Sequence, residues 1–112
     1  MRRSRASRQP IATSGSRPGA ISSNGKKLAL AVGVRCDEKA VGVTFDDGRK
    51  IKAPLLPFLR SASAVARSKC RIRGFGTEIY WPALDEAVGV NYVLGVPEDD
   101  LLRFAGFKEY AD

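Results

Sequence analysis

Two stretches decide the fold. The first is Asp46-Asp47-Gly48-Arg49-Lys50-Ile51-Lys52-Ala53-Pro54-Leu55. The second is Gly74-Phe75-Gly76-Thr77-Glu78-Ile79-Tyr80-Trp81-Pro82-Ala83-Leu84-Asp85-Glu86. Each opens or contains a tight turn next to a short run of β-formers. Asp47-Gly48 is a hairpin signal, because glycine accepts the positive φ that two-residue turns demand. Arg49 to Ala53 then reads as a strand with Ile51 inward, ended by Pro54. Pro54 and Pro57 open a helix, and a first-turn proline loses no needed hydrogen bond. Leu55, Leu59, Ala62 and Ala66 follow at helical spacing, with Phe58 and Val65 beside the stripe. Gly74 to Thr77 is the next turn. Ile79 and Trp81 share one face of the strand after it, and Pro82 stops the ladder.

Outward from this stretch, alternation continues on the N-terminal side. Leu28, Leu30, Val32, Val34 and Cys36 occupy even positions, which predicts a strand with that face buried. Asp37-Glu38-Lys39 is a turn, and Val41, Val43 and Phe45 mark a second strand. The three strands form an antiparallel meander. On the C-terminal side, Asp85-Glu86 reads as a helix start, although the segment to Leu94 is rich in Val and Gly. Pro97 with Glu98, Asp99 and Asp100 suits the positive end of a helix dipole. Gly106 then Phe107 reads as a Schellman stop. The expected fold is α+β: a small, mostly antiparallel sheet, made of the meander and a later hairpin, packed on one helix. A short C-terminal helix follows.

Charge is unevenly placed. The net charge is +7. Residues 1–36 hold Arg2, Arg3, Arg5, Arg8, Arg17, Lys26, Lys27 and Arg35 and no acid, whereas 37–112 are close to balanced. Residues 1–27 are rich in Ser, Gly and Pro and poor in large apolar side chains, so they are read as a disordered basic tail. The expected organisation is a tail over 1–27, a compact domain over 28–94 and a helical extension over 95–112. A folded part of this size is marginal as a lone monomer, so a homodimer or a partner subunit would stabilise it.

No apolar run is long enough to span a bilayer, so no membrane role is expected. An acid-free, Arg-rich leader also fits a transit peptide. Cys36 and Cys70 lack metal spacing and are read as thiols in a reducing cytoplasm, with a disulfide as the alternative. Histidine is absent, which removes Ser-His and Cys-His nucleophile pairs and His-ligated zinc. Neither a cofactor nor a metal is expected.

Several residues invite sharper readings. Trp81, the only tryptophan, is read as a core anchor rather than a stacking platform. Gly74-Phe75-Gly76 lacks the third glycine of a phosphate loop and is read as a turn. Asp85, Glu86 and Cys70 are the only candidates for an enzyme, the last-placed hypothesis. Arg71 and Arg73 flank Ile72 and, with Arg60, Arg67 and Lys69, are candidates for a basic patch. The N-terminal cations are candidates for salt-dependent phosphate contacts.

In combination, Asp47-Gly48, Pro54-Leu55, Phe58, Arg60, Gly74, Gly76 and Trp81-Pro82-Ala83-Leu84-Asp85-Glu86 resemble a bacterial and phage family, the domain of unknown function number 2442, over roughly residues 34–94. That family continues after the acidic pair with a third acid and Ile-Ser-Val, where this chain has Ala87-Val88-Gly89-Val90. The resemblance implies a compact domain and no reaction. It also implies a genomic pairing with a second small protein, in the manner of toxin–antitoxin modules. Some members add a helix-turn-helix, and residues 95–112 supply only one helix. The sequence therefore favours a non-enzymatic, antitoxin-like cytoplasmic protein that binds a small cognate protein. The alternative is a nucleic-acid binder using the tail and the Arg60, Arg67, Arg71 and Arg73 patch.

Overall fold

Tight turns divide the chain into short elements, and the computed structural model describes residues 20–107. The first three strands are β1 (Ala31–Cys36), β2 (Ala40–Phe45) and β3 (Lys50–Pro54), an antiparallel sheet in the order β1-β2-β3. Asp37 folds the first turn by accepting the Lys39 and Ala40 N–H groups at 2.8 and 2.9 Å. The second turn closes through Phe45 and Arg49, with Gly48 at φ 92°. Val41, Val43 and Phe45 all face the core, as their spacing predicts.

β1 departs from simple alternation. Ala31 pairs with Phe45 and Gly33 with Thr44, so Val32 is an extra residue in the ladder, a β-bulge. The bulge switches the inward set from Ala29 and Ala31 to Cys36, and it leaves Val32 63% exposed.

The single helix expected after Pro54 is two: α1 (Pro57–Arg60) and α2 (Ala64–Ser68). Ser63 is the reason. Its backbone is extended, and its hydroxyl accepts the Ala66 N–H at 3.1 Å, which starts a new helix instead of continuing the old one. Leu59 of α1 is fully buried, while Val65 on α2 is 63% exposed.

The second sheet is larger than the expected hairpin. It comprises β4 (Arg71–Arg73), β5 (Glu78–Trp81) and β6 (Glu86–Gly89), again antiparallel and in chain order. Asp85 does not start a helix. It takes φ 50° at the end of the connection from β5 and delivers Glu86 opposite Trp81. Two short helices follow among the described residues, α3 (Val90–Leu94) and α4 (Glu98–Ala105). Pro97 is the residue just before α4, and Gly106 ends it with the expected Schellman bonds to Arg103 and Leu102.

The α+β architecture stands, with its core between the two sheets and the helices. Phe45, Leu59, Ile79, Trp81, Val90 and Leu101 are each at most 1% exposed. Burying a side chain of this kind stabilises by about 1.5–3 kcal/mol. Residues 20–28 close onto this body as a small hairpin through the Ile21–Lys27 bridge. No helix among the described residues is long and apolar enough to cross a membrane.

Candidate functional site

The basic residues named from sequence are not brought together as one free patch. Arg67 directs its Nη1 at the carbonyls of Leu59 and Ala62, at 3.2 and 3.0 Å. Those acceptors lie where α1 stops and the helical ladder is interrupted, so Arg67 closes the break between the helices. Its own carbonyl takes the Trp81 indole N–H at 3.1 Å. Arg73 pairs with Glu78 across the β4–β5 turn. Arg71 and Arg73 both lie over the Tyr80 ring, at 5.4 and 3.8 Å from its centre. On this face of the sheet Glu78 stands opposite Arg73 and Tyr80 opposite Arg71, so the two cations are engaged by an acid and a ring and not left free. Arg60 and Lys69 are exposed on the helical segment.

Arg2, Arg3, Arg5, Arg8 and Arg17 lie outside the described residues. Lys26 and Lys27 are within them, in the 20–28 hairpin. Lys27 Nζ approaches Asp47 at 3.7 Å, and Arg49 Nε meets the same carboxylate at 2.8 Å. Burial pushes the Asp47 carboxyl up, but the Arg49 N–H, the guanidinium and Lys27 together hold it below the ordinary range. Ser23 donates its N–H and hydroxyl to Asp100, both at 2.7 Å, which ties the hairpin to α4.

The chemical candidates occupy structural positions. Trp81 is fully buried and meets Phe58 edge-on at 5.5 Å. Asp85 sits in a turn and accepts from the Tyr80 hydroxyl at 3.3 Å, and Glu86 is exposed at the start of β6. Burial pushes the Cys70 thiol up despite a hydrogen bond from the Cys36 backbone, and burial does the same to Cys36. Both are free thiols. Raised thiols are poor nucleophiles near neutral pH. Among the described residues, no group of three or more His, Cys, Asp or Glu is placed to hold a metal ion.

The turn read from Gly74-Phe75-Gly76 contains what sequence reasoning missed. Phe75 is 78% exposed and held at φ 56°. That conformation is rare for a bulky side chain. Its turn is fixed on both sides. Ala31 donates to the Gly76 carbonyl at 2.9 Å, and Val90 donates to the Thr77 carbonyl at 2.7 Å. Buried Thr77 returns its hydroxyl to the Gly74 carbonyl at 2.6 Å. The Phe75 ring rests 5.6 Å from that of Phe107. An exposed aromatic at the tip of an immobilised turn is preorganised to enter another molecule's pocket. The two flanking glycines were the available signal, since they set the backbone that turns the phenyl outward.

Comparison with known proteins returns one family model, "Protein of unknown function (DUF2442)", matching residues 31–95. The chain belongs to that family. A solved structure of a protein of unknown function from Rhodospirillum rubrum ATCC 11170 is similar to this DUF2442 member. They share 24% identity, with a TM-score of 0.55, over 62% of this chain and 90% of the other. At that identity the likeness speaks to fold alone. No curated protein matches. In this DUF2442 member the residues that carried the resemblance are largely architectural. Asp47-Gly48 and Trp81 to Glu86 build hairpin ends, and Phe58 packs on Trp81.

Proposed function

We propose that this chain is a small regulatory module of antitoxin-like type, working in the cytoplasm by binding a cognate protein and not by catalysis. The observation that carries the reading is Phe75, an exposed ring on a turn that three backbone hydrogen bonds and a pair of glycines hold in place. A side chain of that size, already ordered, loses little entropy on docking and buries a large apolar area. Its conformation is itself a strain of about 1–2 kcal/mol, and strain of this kind concentrates at sites of function. The raised thiols of Cys36 and Cys70 and the turn position of Asp85 weigh against the enzyme reading.

The test is Phe75→Asn in the full-length chain. Asparagine tolerates positive φ, so the variant should melt at the same temperature as the native protein or higher. Tagged native protein and variant are expressed in the native host, and the recovered partner is then titrated against each. The variant should bind at least about thirtyfold more weakly, the size of a hot-spot loss near 2 kcal/mol. Undiminished affinity in a stably folded Phe75→Asn chain would overturn the reading. Self-association lost on the same substitution would make the partner a second copy of this chain.

A further inference from the structure

We propose that the outward face of the first sheet is a docking surface for the phosphate backbone of duplex nucleic acid. Because Val41, Val43 and Phe45 point inward, Ala40, Gly42 and Thr44 point out. The register completes two rows across the sheet, Arg35–Gly42–Lys52 and Gly33–Thr44–Lys50. Cations thus stand on both edge strands, with small residues between them. Two strand spacings separate Arg35 from Lys52 by about 10 Å, and Lys50 lies about 7 Å from Lys52 along β3.

The three strands contain Arg35, Lys50 and Lys52 and no acid. All three cations are exposed, and none makes an ion pair among the described residues. The nearby carboxylates lie in the two turns: Asp37 Oδ1 is engaged by the Lys39 and Ala40 N–H groups, Asp46 accepts the Leu30 N–H, and Asp47 is paired with Arg49 and Lys27. Those bonds to Asp37, and then the charges of Lys52 and Arg35, hold the Asp37 carboxyl low. Glu38 and Lys39 are exposed in the same turn and offset one another.

Gly42 is the second observation. Its φ is ordinary, and an added Cβ would meet only the Arg35 carbonyl at 3.7 Å, a normal contact. A strand-interior glycine costs roughly 0.5–1 kcal/mol. Nothing in the protein's own packing requires it, and such glycines mark places where another backbone approaches closely. The face carries no aromatic ring, so it offers no stacking platform for unpaired bases. Phosphates of a duplex, contacted without regard to sequence, are the ligand this chemistry fits.

The experiment compares Gly42→Glu with Gly42→Gln in the full-length chain, by fluorescence anisotropy on a short labelled DNA duplex of mixed sequence across a salt series. Both side chains fit the site, so both variants should melt like the native protein. Glutamate sets an acid between Arg35 and Lys52. It should weaken binding at least about tenfold and reduce the slope of log affinity against log salt by about 1–2, while glutamine stays within about twofold of the native chain. Equal affinities for the two variants, or a native chain that does not bind the duplex, would overturn the proposal. So would a polyglutamate peptide bound as tightly as the duplex, which would assign the face to an acidic protein.

Discussion

Replacing Gly76 with alanine tests how the two sheets are joined. Gly76 has φ 87°, and a Cβ there would lie 2.8 Å from the Ala31 carbonyl oxygen and 2.9 Å from Leu30 Cβ. Two costs add. An L-residue in the left-handed region loses about 1–2 kcal/mol. Forcing the turn off β1 costs about 1–3 kcal/mol more, since the obstructing atoms belong to backbone and to a chain-proximal carbon that cannot rotate away. Gly48 supplies the control, because its φ is 92° but an added Cβ meets nothing within 4 Å. Gly48→Ala should therefore lose only the first, conformational part. Urea unfolding followed by the fluorescence of Trp81 reads both variants against the native chain, and an unchanged slope would show that the two states keep their compactness. The expected gap between the variants is about 1–3 kcal/mol, a large share of the roughly 5–15 kcal/mol that holds a typical domain folded. Equal losses in Gly76→Ala and Gly48→Ala would refute the claim that the Phe75 turn is clamped on β1.

Trp81→Phe keeps an aromatic in the core but removes the indole N–H and leaves the Arg67 carbonyl without its partner. The loss should be about 2–3 kcal/mol in the same urea assay, and a loss below about 0.5 kcal/mol would mean that the bond contributes little. Asp100 is held low first by the Ser23 hydroxyl and then by its N–H. A depressed carboxyl contributes stability above its unfolded pKa, and that contribution fades as pH falls through the folded value. Native protein and Asp100→Asn should therefore differ most near neutrality and converge below about pH 4, by thermal melts across pH. A gap independent of pH would remove the carboxylate from the account.

Where the fold was legible, one periodicity or one turn chemistry acted without competition. The inward set Val41, Val43 and Phe45 follows from alternation, and the α4 boundaries follow from Pro97, the three acids and Gly106. The misses have the opposite character. Alternation over 28–36 assumes one residue per ladder step, and the Val32 bulge breaks that assumption by inserting one. Asp85-Glu86 suits a helix start, but Asp also tolerates positive φ, and the pairing of Glu86 with Trp81 won over local propensity. A continuous apolar stripe over 55–66 favours one helix, whereas Ser63 offers its hydroxyl to a fresh start. The candidate site was less legible still. The exposure of Phe75 depends on where β1 and α3 receive its turn, and those bonds come from residues distant in sequence.

The cations make the same point about charge. By residue type, Arg67 and Arg73 count toward a basic surface as fully as Arg35 and Lys52 do. Their surroundings separate them. Arg67 is tied to two carbonyls, Arg73 to Glu78 and Tyr80, and Arg49 with Lys27 to Asp47. Each such bond fixes a guanidinium or ammonium whose field is then partly cancelled, so it attracts a distant anion less. Arg35, Lys50 and Lys52 stand in register with Gly33, Gly42 and Thr44 and form no ion pair among the described residues, although Arg35 and Lys52 do act on Asp37 in the adjoining turn. Register, more than the density of basic residues, decides which charges face outward without a direct ion-pair partner. That is why the face with fewer cations is the better candidate for an anionic ligand.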